Sequence, residues 1–130
     1  MSCGGHPARP AWNWSEKPGE LPAMREALLT HDRDRYADEL WWREARPELV
    51  MGPGSWRWVE RAFASSRALF APGVLEQVTA PTLMIATTAD RLVKFAAIRR
   101  ACGRMPDCRL VAFGQEARHE ILREVDPVRR

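Results

Sequence analysis

The sequence contains no long apolar run. No window approaches the roughly 18 consecutive apolar residues that a membrane helix requires, and the opening residues, MSCGGHPARP, lack the apolar segment of a secretion signal. These absences argue against a membrane span and against secretion. What is present is the composition of a globular domain, because 45% of the 130 residues are hydrophobic and 28% are charged, which suffices for one core.

The sequence also has few cysteines and little net charge. The three cysteines, Cys3, Cys102 and Cys108, leave one unpaired in any disulfide scheme, and their spacing matches no zinc or iron–sulfur site. We therefore predict a cytoplasmic protein in which Cys102 packs as a small apolar residue and Cys108, at the start of a strand, has no partner at a telling spacing. Lysine and arginine number 20 against 17 acidic residues, so the net charge is only +3. This mixed charge gives little support to nucleic-acid binding.

The composition divides the chain near residue 80. All six tryptophans lie in the first 58 residues, and the strand-like aliphatic runs follow residue 80. We therefore expect two sections. Residues 1–78 form an irregular arm and a helical segment, and residues 79–130 form an α/β segment.

Two helices are predicted in the first section. Asp32 is a suitable N-cap for a helix that ends before Pro47, and Ser55 is one for a helix that ends before Ala71-Pro72-Gly73. Helical spacing gives the second helix an aromatic face, which comprises Trp56, Val59, Phe63, Ser66 and Phe70. Two further tryptophans, Trp41 and Trp42, precede this helix. Such a stripe is typical of a core, and the alternative is the lining of an apolar pocket.

The second section predicts a βαβ unit. Residues 82–87 form an aliphatic run without polar alternation, which indicates a strand covered on both faces. A helix over residues 94–103 and a second buried strand over residues 109–113 follow. Strand, helix and strand within about 30 residues predict two parallel strands joined by a right-handed crossover. The predicted fold class is therefore α/β.

The end of the chain predicts an incomplete domain. A helical turn or two over residues 120–125 precedes a helix start at Asp126 and Pro127, and the sequence stops soon afterwards at Arg130. Two parallel strands alone leave both faces and both edges of their sheet uncovered. We therefore expect the chain to be part of a larger α/β domain, or to complete one with a partner by pairing its exposed sheet edge.

A lone acidic residue and a lone histidine follow the two predicted strands. Asp90 comes shortly after the first strand, and His119 shortly after the second. Because functional groups gather at the carboxyl ends of parallel strands, the two side chains are expected within reach of a hydrogen bond. An imidazole held by a carboxylate is a general base suited to activating a nucleophile. Taken singly, an aspartate after a strand is usually a turn former or helix cap, and a lone histidine is usually a loop residue.

The residues around this pair resemble a known family. The sequence VTAPTLMIATTADRLV, followed by CRLVAFGQEARHEIL, resembles the C-terminal part of α/β-hydrolases of the lysophospholipase and monoacylglycerol lipase type, grouped as the serine aminopeptidase S33 family. Asp90 to Val93 matches the D-x-x-V setting of that family's triad acid, and Ala117 to Glu120 matches the A-x-H-E setting of its triad histidine. The upstream sequences LLTHDRDRYADELWWREARPEL and GPGSWRWVERAF resemble its helical cap. The resemblance covers residues 10–130.

The nucleophile of that family is missing from these 130 residues. The family's serine lies in a G-x-S-x-G turn between a strand and a helix, and neither this motif nor the oxyanion-hole loop occurs here. The opening sequence MSCGGH is similar to the second half of an S-x-G-G-H turn. Only Met1 precedes Ser2, however, so no strand positions that serine, and we do not expect it to be a nucleophile.

The resemblance implies a partial α/β-hydrolase fold and two thirds of a catalytic triad. In the complete enzyme an upstream serine would attack a carboxylic ester, such as a lysophospholipid or monoacylglycerol, while His119 carries its proton and Asp90 orients His119. No metal or organic cofactor is implied, and the isolated chain is expected to be inactive toward esters. The alternative is a non-catalytic relic that binds or oligomerises. His31, in THDRD, is interpreted as a histidine of the cap region or of the surface.

Overall fold

Five α-helices and two β-strands make up the part of the chain that the structure, a computed structural model, describes, which is residues 6–11 and 23–129. In chain order they are α1 (Ala23–Leu29), α2 (Arg33–Ala45), α3 (Trp56–Leu69), β1 (Thr82–Thr87), α4 (Phe95–Cys102), β2 (Cys108–Phe113) and α5 (Asp126–Arg129). Short 3₁₀ helices lie at Pro47–Leu49, Leu75–Gln77 and Ile121–Arg123. The α/β class predicted from the sequence is confirmed at this level.

Both predicted helix starts in the first section are confirmed. Asp32 precedes α2, and its carboxylate accepts a hydrogen bond from the Arg35 backbone N–H at 3.0 Å. Ser55 precedes α3, and its hydroxyl accepts one from the Trp58 N–H at 3.2 Å. Each cap satisfies a backbone donor that the first turn of a helix leaves without an intrahelical partner.

The helix α1 has no predicted counterpart. Its sequence, AMREALL, consists of good helix formers but carries no cap signal that marks its start. Of the predicted irregular arm, residues 6–11 fall within the described part of the chain, and they contact the start of α3. The Trp56 N–H donates to the Arg9 carbonyl at 3.0 Å, and Pro10 pairs with Ser55 in an isolated antiparallel bridge. Trp12, like the rest of the arm, lies outside the described residues.

The two strands are parallel, as predicted, and their register runs from Thr82 opposite Cys108 to Thr87 opposite Phe113. The prediction that both faces of the strands are covered is wrong for the described residues. The helix α4 packs on one face, but on the opposite face Leu83 is 58% exposed and Ile85 is 42% exposed. An aliphatic run predicts an apolar environment for a strand without specifying which segment supplies it.

The aromatic face of α3 is also open. Trp56 is 51% exposed and Phe63 is 64% exposed, and α3 has no buried residue. The interpretation of this stripe as core is therefore wrong for the described residues. In α2, Trp41 and Trp42 are similarly exposed, and Trp42 lines a cavity of about 580 Å³ beside the segment from Leu49 to Gly52.

A disulfide joins Cys102, the last residue of α4, to Cys108, the first residue of β2. The prediction that Cys108 has no partner is wrong. Cys102 is buried, as expected, but it is bonded and does not simply pack as a small apolar residue. The six-residue separation is short, and the turn between helix and strand brings the two Cα atoms to 5.3 Å, within the usual range for a disulfide.

Arg104 connects the two sections of the chain near the end of α3. Its guanidinium makes two hydrogen bonds to the Glu76 carboxylate, at 2.7 and 3.0 Å, and donates to the Phe70 and Ala71 carbonyls at 2.9 Å each. Arg100 lies over the Phe70 ring, 4.3 Å from its centre. This set of contacts attaches the segment after α3 to the turn that follows α4.

The core draws on both sections of the chain. Its buried hydrophobic residues are Leu29, Tyr36, Leu40, Leu75, Ala86, Cys102 and Ala117, and its buried polar residues are Thr30, Thr87 and Glu124. The polar residues lie at the ends of α1 and β1 and just before α5, which is the region where the loops that follow the strands meet the first helices. Among the described helices, none combines the length and apolarity needed to cross a membrane.

Candidate functional site

Thr87, the last residue of β1, joins the loops that follow the two strands. Its side chain is almost wholly buried, and its hydroxyl lies 2.7 Å from the Gly114 carbonyl and 3.0 Å from the Ala117 carbonyl. The same oxygen accepts a hydrogen bond from the Ala89 N–H at 3.0 Å. Thr87 therefore fixes the start of the loop that carries Asp90 against the loop that carries His119. The sequence contains no signal for this contact, because a threonine at a strand end is common.

Asp90 uses its two carboxylate oxygens for different contacts. Oδ1 accepts hydrogen bonds from the Leu92 N–H at 2.8 Å and the Val93 N–H at 3.0 Å. Oδ2 lies 2.8 Å from Nδ1 of His119. Both interpretations of this aspartate, as a turn former and as a partner of the histidine, therefore describe real contacts. The turn contacts hold the carboxylate in the orientation that reaches His119.

The backbone N–H groups of His119 and Glu120 are hydrogen-bonded to the end of α1. The His119 N–H donates to the Leu28 carbonyl at 3.4 Å, and the Glu120 N–H donates to the Leu29 carbonyl at 2.8 Å. Two carbonyls that α1 leaves free at its C-terminus thus accept hydrogen bonds from the loop after β2. The position of the histidine consequently depends on a helix far away in the sequence.

The two members of the pair differ in exposure. The Asp90 side chain is only 6% exposed, whereas that of His119 is 35% exposed. Burial is the largest single influence on the Asp90 carboxyl and favours its protonated form, but the hydrogen bonds from His119, Val93 and Leu92 together outweigh it and lower its pKa. Asp90 is therefore an anion at neutral pH, and since an ionised carboxylate can only accept hydrogen bonds, Nδ1 of His119 carries the proton between them.

His119 lines an open groove of about 520 Å³. The other lining residues are Leu83, Ile85, Glu120, Ile121, Leu122 and Arg123. With Nδ1 engaged by Asp90, the nitrogen left to act on a ligand is Nε2. The groove thus combines one oriented imidazole with an apolar wall formed by the exposed face of β1 and the 3₁₀ helix Ile121–Arg123.

A second pair of histidine and carboxylate lies nearby. Nδ1 of His31 is 3.1 Å from Oε1 and 3.2 Å from Oε2 of Glu124, whose side chain is wholly buried. Glu124 also accepts hydrogen bonds from the His31 N–H at 3.1 Å and the Arg118 N–H at 2.7 Å. The expectation that His31 belongs to the cap region or the surface misses this role, since one third of its side chain is exposed and its ring holds a buried carboxylate.

The described residues contain no serine in the groove. Ser55 caps α3, and the hydroxyls of Ser65 and Ser66, on α3 itself, donate to the Ala62 carbonyl. Ser2 lies outside the described residues. Within the described ranges there is also no group of three His, Cys, Asp or Glu side chains arranged to hold a metal ion.

Comparison with known proteins gives no family for this chain: no protein-family model and no curated protein sequence matches it. The interpretation of Asp90 and His119 therefore depends on the resemblance of the residues around them and on their geometry.

Proposed function

We propose that this chain carries the acid and the histidine of a serine hydrolase with a partial α/β-hydrolase fold, which acts on carboxylic esters such as lysophospholipids or monoacylglycerols. The observation that carries the proposal is the 2.8 Å contact between His119 and Asp90 at the carboxyl ends of two parallel strands. A buried acid, an exposed histidine and an adjoining groove are the arrangement that such an enzyme requires. The triad order of serine, then acid, then histidine places the nucleophile upstream of Asp90 in the chain.

The proposed mechanism assigns one task to each member of the pair. Nε2 of His119 takes the proton from the serine hydroxyl as the serine attacks the ester carbonyl, and then gives it to the leaving alcohol. Asp90 stays ionised, holds the proton on Nδ1 and stabilises the imidazolium that forms. Water then releases the acyl group from the serine by the same proton transfers in reverse order. Neither a metal nor an organic cofactor takes part.

The groove supports a lipid substrate. Leu83 and Ile85 on the strand side and Leu122 on the opposite side are exposed apolar side chains beside His119. An acyl chain that covers these residues would remove apolar surface from water and would bring its ester carbonyl toward the imidazole. The G-x-S-x-G serine of the proposal is not among these 130 residues.

The test of the proposal is to read the DNA that precedes the codon for Met1 in all three frames. The proposal predicts a strand, a G-x-S-x-G motif and a helix in that translation. The purified 130-residue chain, by contrast, should show no saturable turnover of p-nitrophenyl esters, because it lacks the nucleophile. Rapid saturable hydrolysis by the isolated chain, lost on His119→Ala, would show that the missing-nucleophile account is wrong.

A second candidate function is a non-catalytic module that associates through its sheet. The open face of β1, with Leu83 and Ile85 exposed, favours it, as does the unpaired edge of a sheet that has two strands within the described residues. Sedimentation velocity over a range of concentrations tests it. Association that Leu83→Lys abolishes, but that the same change at exposed Met51 leaves intact, would support this function.

The cytoplasmic location is part of the proposal, and the disulfide between Cys102 and Cys108 bears directly on it, because disulfides are rare in cytosolic proteins. Trapping thiols in intact source cells with an alkylating reagent, followed by mass spectrometry, gives the answer. Alkylated Cys102 and Cys108 would agree with the cytoplasm. A disulfide between them would place the protein in an oxidising compartment.

A further inference from the structure

A second cavity, beside the loops that carry Asp90 and His119, has a lining suited to an anion. It measures about 210 Å³ and is formed where the end of α1 meets the loops after β1 and β2. The lining residues are Ala27, Leu28, His31, Ala89, Arg91, Gln115 and Arg118. The side chains of Arg91, Gln115 and Arg118 can donate hydrogen bonds, and no carboxylate lines the cavity, in contrast to the groove beside His119, which Glu120 also lines.

Two arginines bring positive charge to the cavity, and within the described residues neither guanidinium forms an ion pair with a carboxylate. The Arg118 guanidinium donates to the Thr30 carbonyl at 2.7 Å and to the Glu26 carbonyl at 3.4 Å, and these neutral acceptors leave its full charge in place. Arg91 is exposed and, within the described residues, forms no ion pair. Guanidinium groups that lack a carboxylate partner are the usual recognition elements for carboxylate and phosphate groups.

His31 adds an oriented ring to the same cavity. Because its Nδ1 faces the buried carboxylate of Glu124, its Nε2 is a hydrogen-bond acceptor, which can receive the proton of a P–O–H group of hydrogen phosphate. Glu124 itself is enclosed by its contacts with the His31 ring, the His31 N–H and the Arg118 N–H, and it does not line the cavity. The carboxylate therefore fixes the ring without occupying the place of an anion.

We propose that this cavity binds a small anion, with the side chains of Arg91, Arg118 and Gln115 as its hydrogen-bond donors. The chemical class is a phosphate or a compact carboxylate, because the volume lies below the about 300–1,000 Å³ typical of pockets for drug-sized ligands. Binding there acts on the loops that carry Asp90 and His119, since Ala89 and Arg91 flank Asp90, and Arg118 directly precedes His119. The inference stands apart from the proposed ester hydrolysis, because anion binding requires no serine.

The experiment is an NMR titration of the ¹⁵N-labelled 130-residue chain with inorganic phosphate, and separately with succinate, at constant ionic strength. At least one anion should bind saturably, with the largest shifts at the backbone amides of Ala89, Arg91, Gln115 and Arg118 and at the His31 ring. Arg91→Gln should weaken binding about tenfold, which is the effect of losing one charge-assisted hydrogen bond. Arg91 is chosen because Arg118 also supports the fold through the Thr30 carbonyl.

The matched control is Arg109→Gln, which removes the same charge from an exposed position near the start of β2. The cavity residues Gln115 and Arg118 follow the opposite end of that strand. The affinity of this variant for the anion should stay within about twofold of that of the unchanged chain. Saturable binding that Arg91→Gln weakens and Arg109→Gln does not would support the site, and the stronger anion would identify the class. Shifts that do not saturate, or equal effects of the two variants, would overturn it. Gln115→Ala should also weaken binding, and an unchanged affinity would count against this ligand set.

Discussion

Nδ1 of His119 lies 2.8 Å from Oδ2 of Asp90, although the two residues are 29 positions apart in the chain. Three features produce this contact. The parallel register of β1 and β2 brings both loops to one end of the sheet, Thr87 joins the loops, and the end of α1 accepts hydrogen bonds from the backbone at His119. The pair is therefore held from both sections of the chain, so its geometry can be tested independently of any activity.

Replacing Asp90 by Asn should remove the preference of the His119 ring for the tautomer with its proton on Nδ1. An amide does not hold the histidine in one tautomer as an ionised carboxylate does, so the ring nitrogens should show a mixture of tautomers in long-range ¹H–¹⁵N spectra. Loss of the charge-assisted contacts should also lower the free energy of unfolding by about 1–3 kcal/mol at pH 7. Asp107→Asn, a change at an exposed turn residue, is the control for the altered charge. An unchanged His119 spectrum in Asp90→Asn would contradict the contact.

The same pair predicts a loss of stability in acid. Because the pKa of Asp90 is lower in the folded chain than its ordinary value of 3.8, the ionised carboxylate stabilises the fold above about pH 3.8, and this contribution is lost as the pH falls through the lowered value. Urea unfolding measured between pH 6 and pH 2 should show a smaller decline for Asp90→Asn than for the original chain. Equal losses of stability in the two proteins would contradict the stabilising role of the Asp90 carboxylate.

Glu76 should contribute to acid sensitivity in a defined window. Its hydrogen bonds with Arg104 lower its pKa from 4.5 to about 2, so the ion pair stabilises the fold above pH 4.5 and is lost progressively as the pH falls toward about 2. Glu76→Gln should flatten the dependence of stability on pH in that window. Glu60→Gln, at an exposed position of α3, should leave it unchanged. A curve for Glu76→Gln that follows that of Glu60→Gln would show that the ion pair has no role.

Removing the buried carboxylate of Glu124 should be the most damaging of these single changes. Glu124→Ala leaves the His31 N–H, the Arg118 N–H and the His31 ring without their shared acceptor, and each donor left unsatisfied inside the protein costs about 1–3 kcal/mol. Glu124→Gln keeps one acceptor oxygen and should cost less. Equilibrium urea unfolding at pH 7 measures both. Glu60→Ala serves as the surface control, with an expected change within about 0.5 kcal/mol, and a similarly small change for Glu124→Ala would contradict the assigned role.

Reduction of the disulfide should destabilise the chain modestly. The bond between Cys102 and Cys108 closes a loop with a sequence separation of six, and a loop this short contributes about 2 kcal/mol through the entropy of the unfolded chain. Unfolding midpoints with and without dithiothreitol measure the effect. A Cys102→Ala, Cys108→Ala double variant should not respond to the reductant. If the original chain also fails to respond, the bond contributes nothing to stability.

The parts of the fold that the sequence predicts are those with local signals. Asp32 and Ser55 are helix caps with side-chain oxygens at standard positions, and the strand-helix-strand pattern places Asp90 and His119 at one end of the sheet. Each of these predictions depends on residues close together in the chain, or on the single rule that parallel strands end on the same side.

The parts that escape prediction depend on contacts between distant segments. His31 and Glu124 are 93 positions apart, and neither belongs to a motif that relates it to the other. The exposure of Leu83 and Phe63 cannot be read from their apolar character, since an apolar pattern does not identify what covers it. The cysteine count permits a disulfide, but the pairing of Cys102 with Cys108 depends on how tightly the turn closes between α4 and β2.

The central claim is that His119 and Asp90 serve a serine nucleophile. Its most direct test uses the longer polypeptide that is encoded when the upstream DNA is translated together with this reading frame. The rate at which a fluorophosphonate probe labels that polypeptide is measured with His119 present and with His119 replaced by Ala. The account predicts covalent mass on the serine of a G-x-S-x-G motif, and a labelling rate that falls by at least about a thousandfold in His119→Ala. No labelling, or labelling at the same rate without His119, would contradict it.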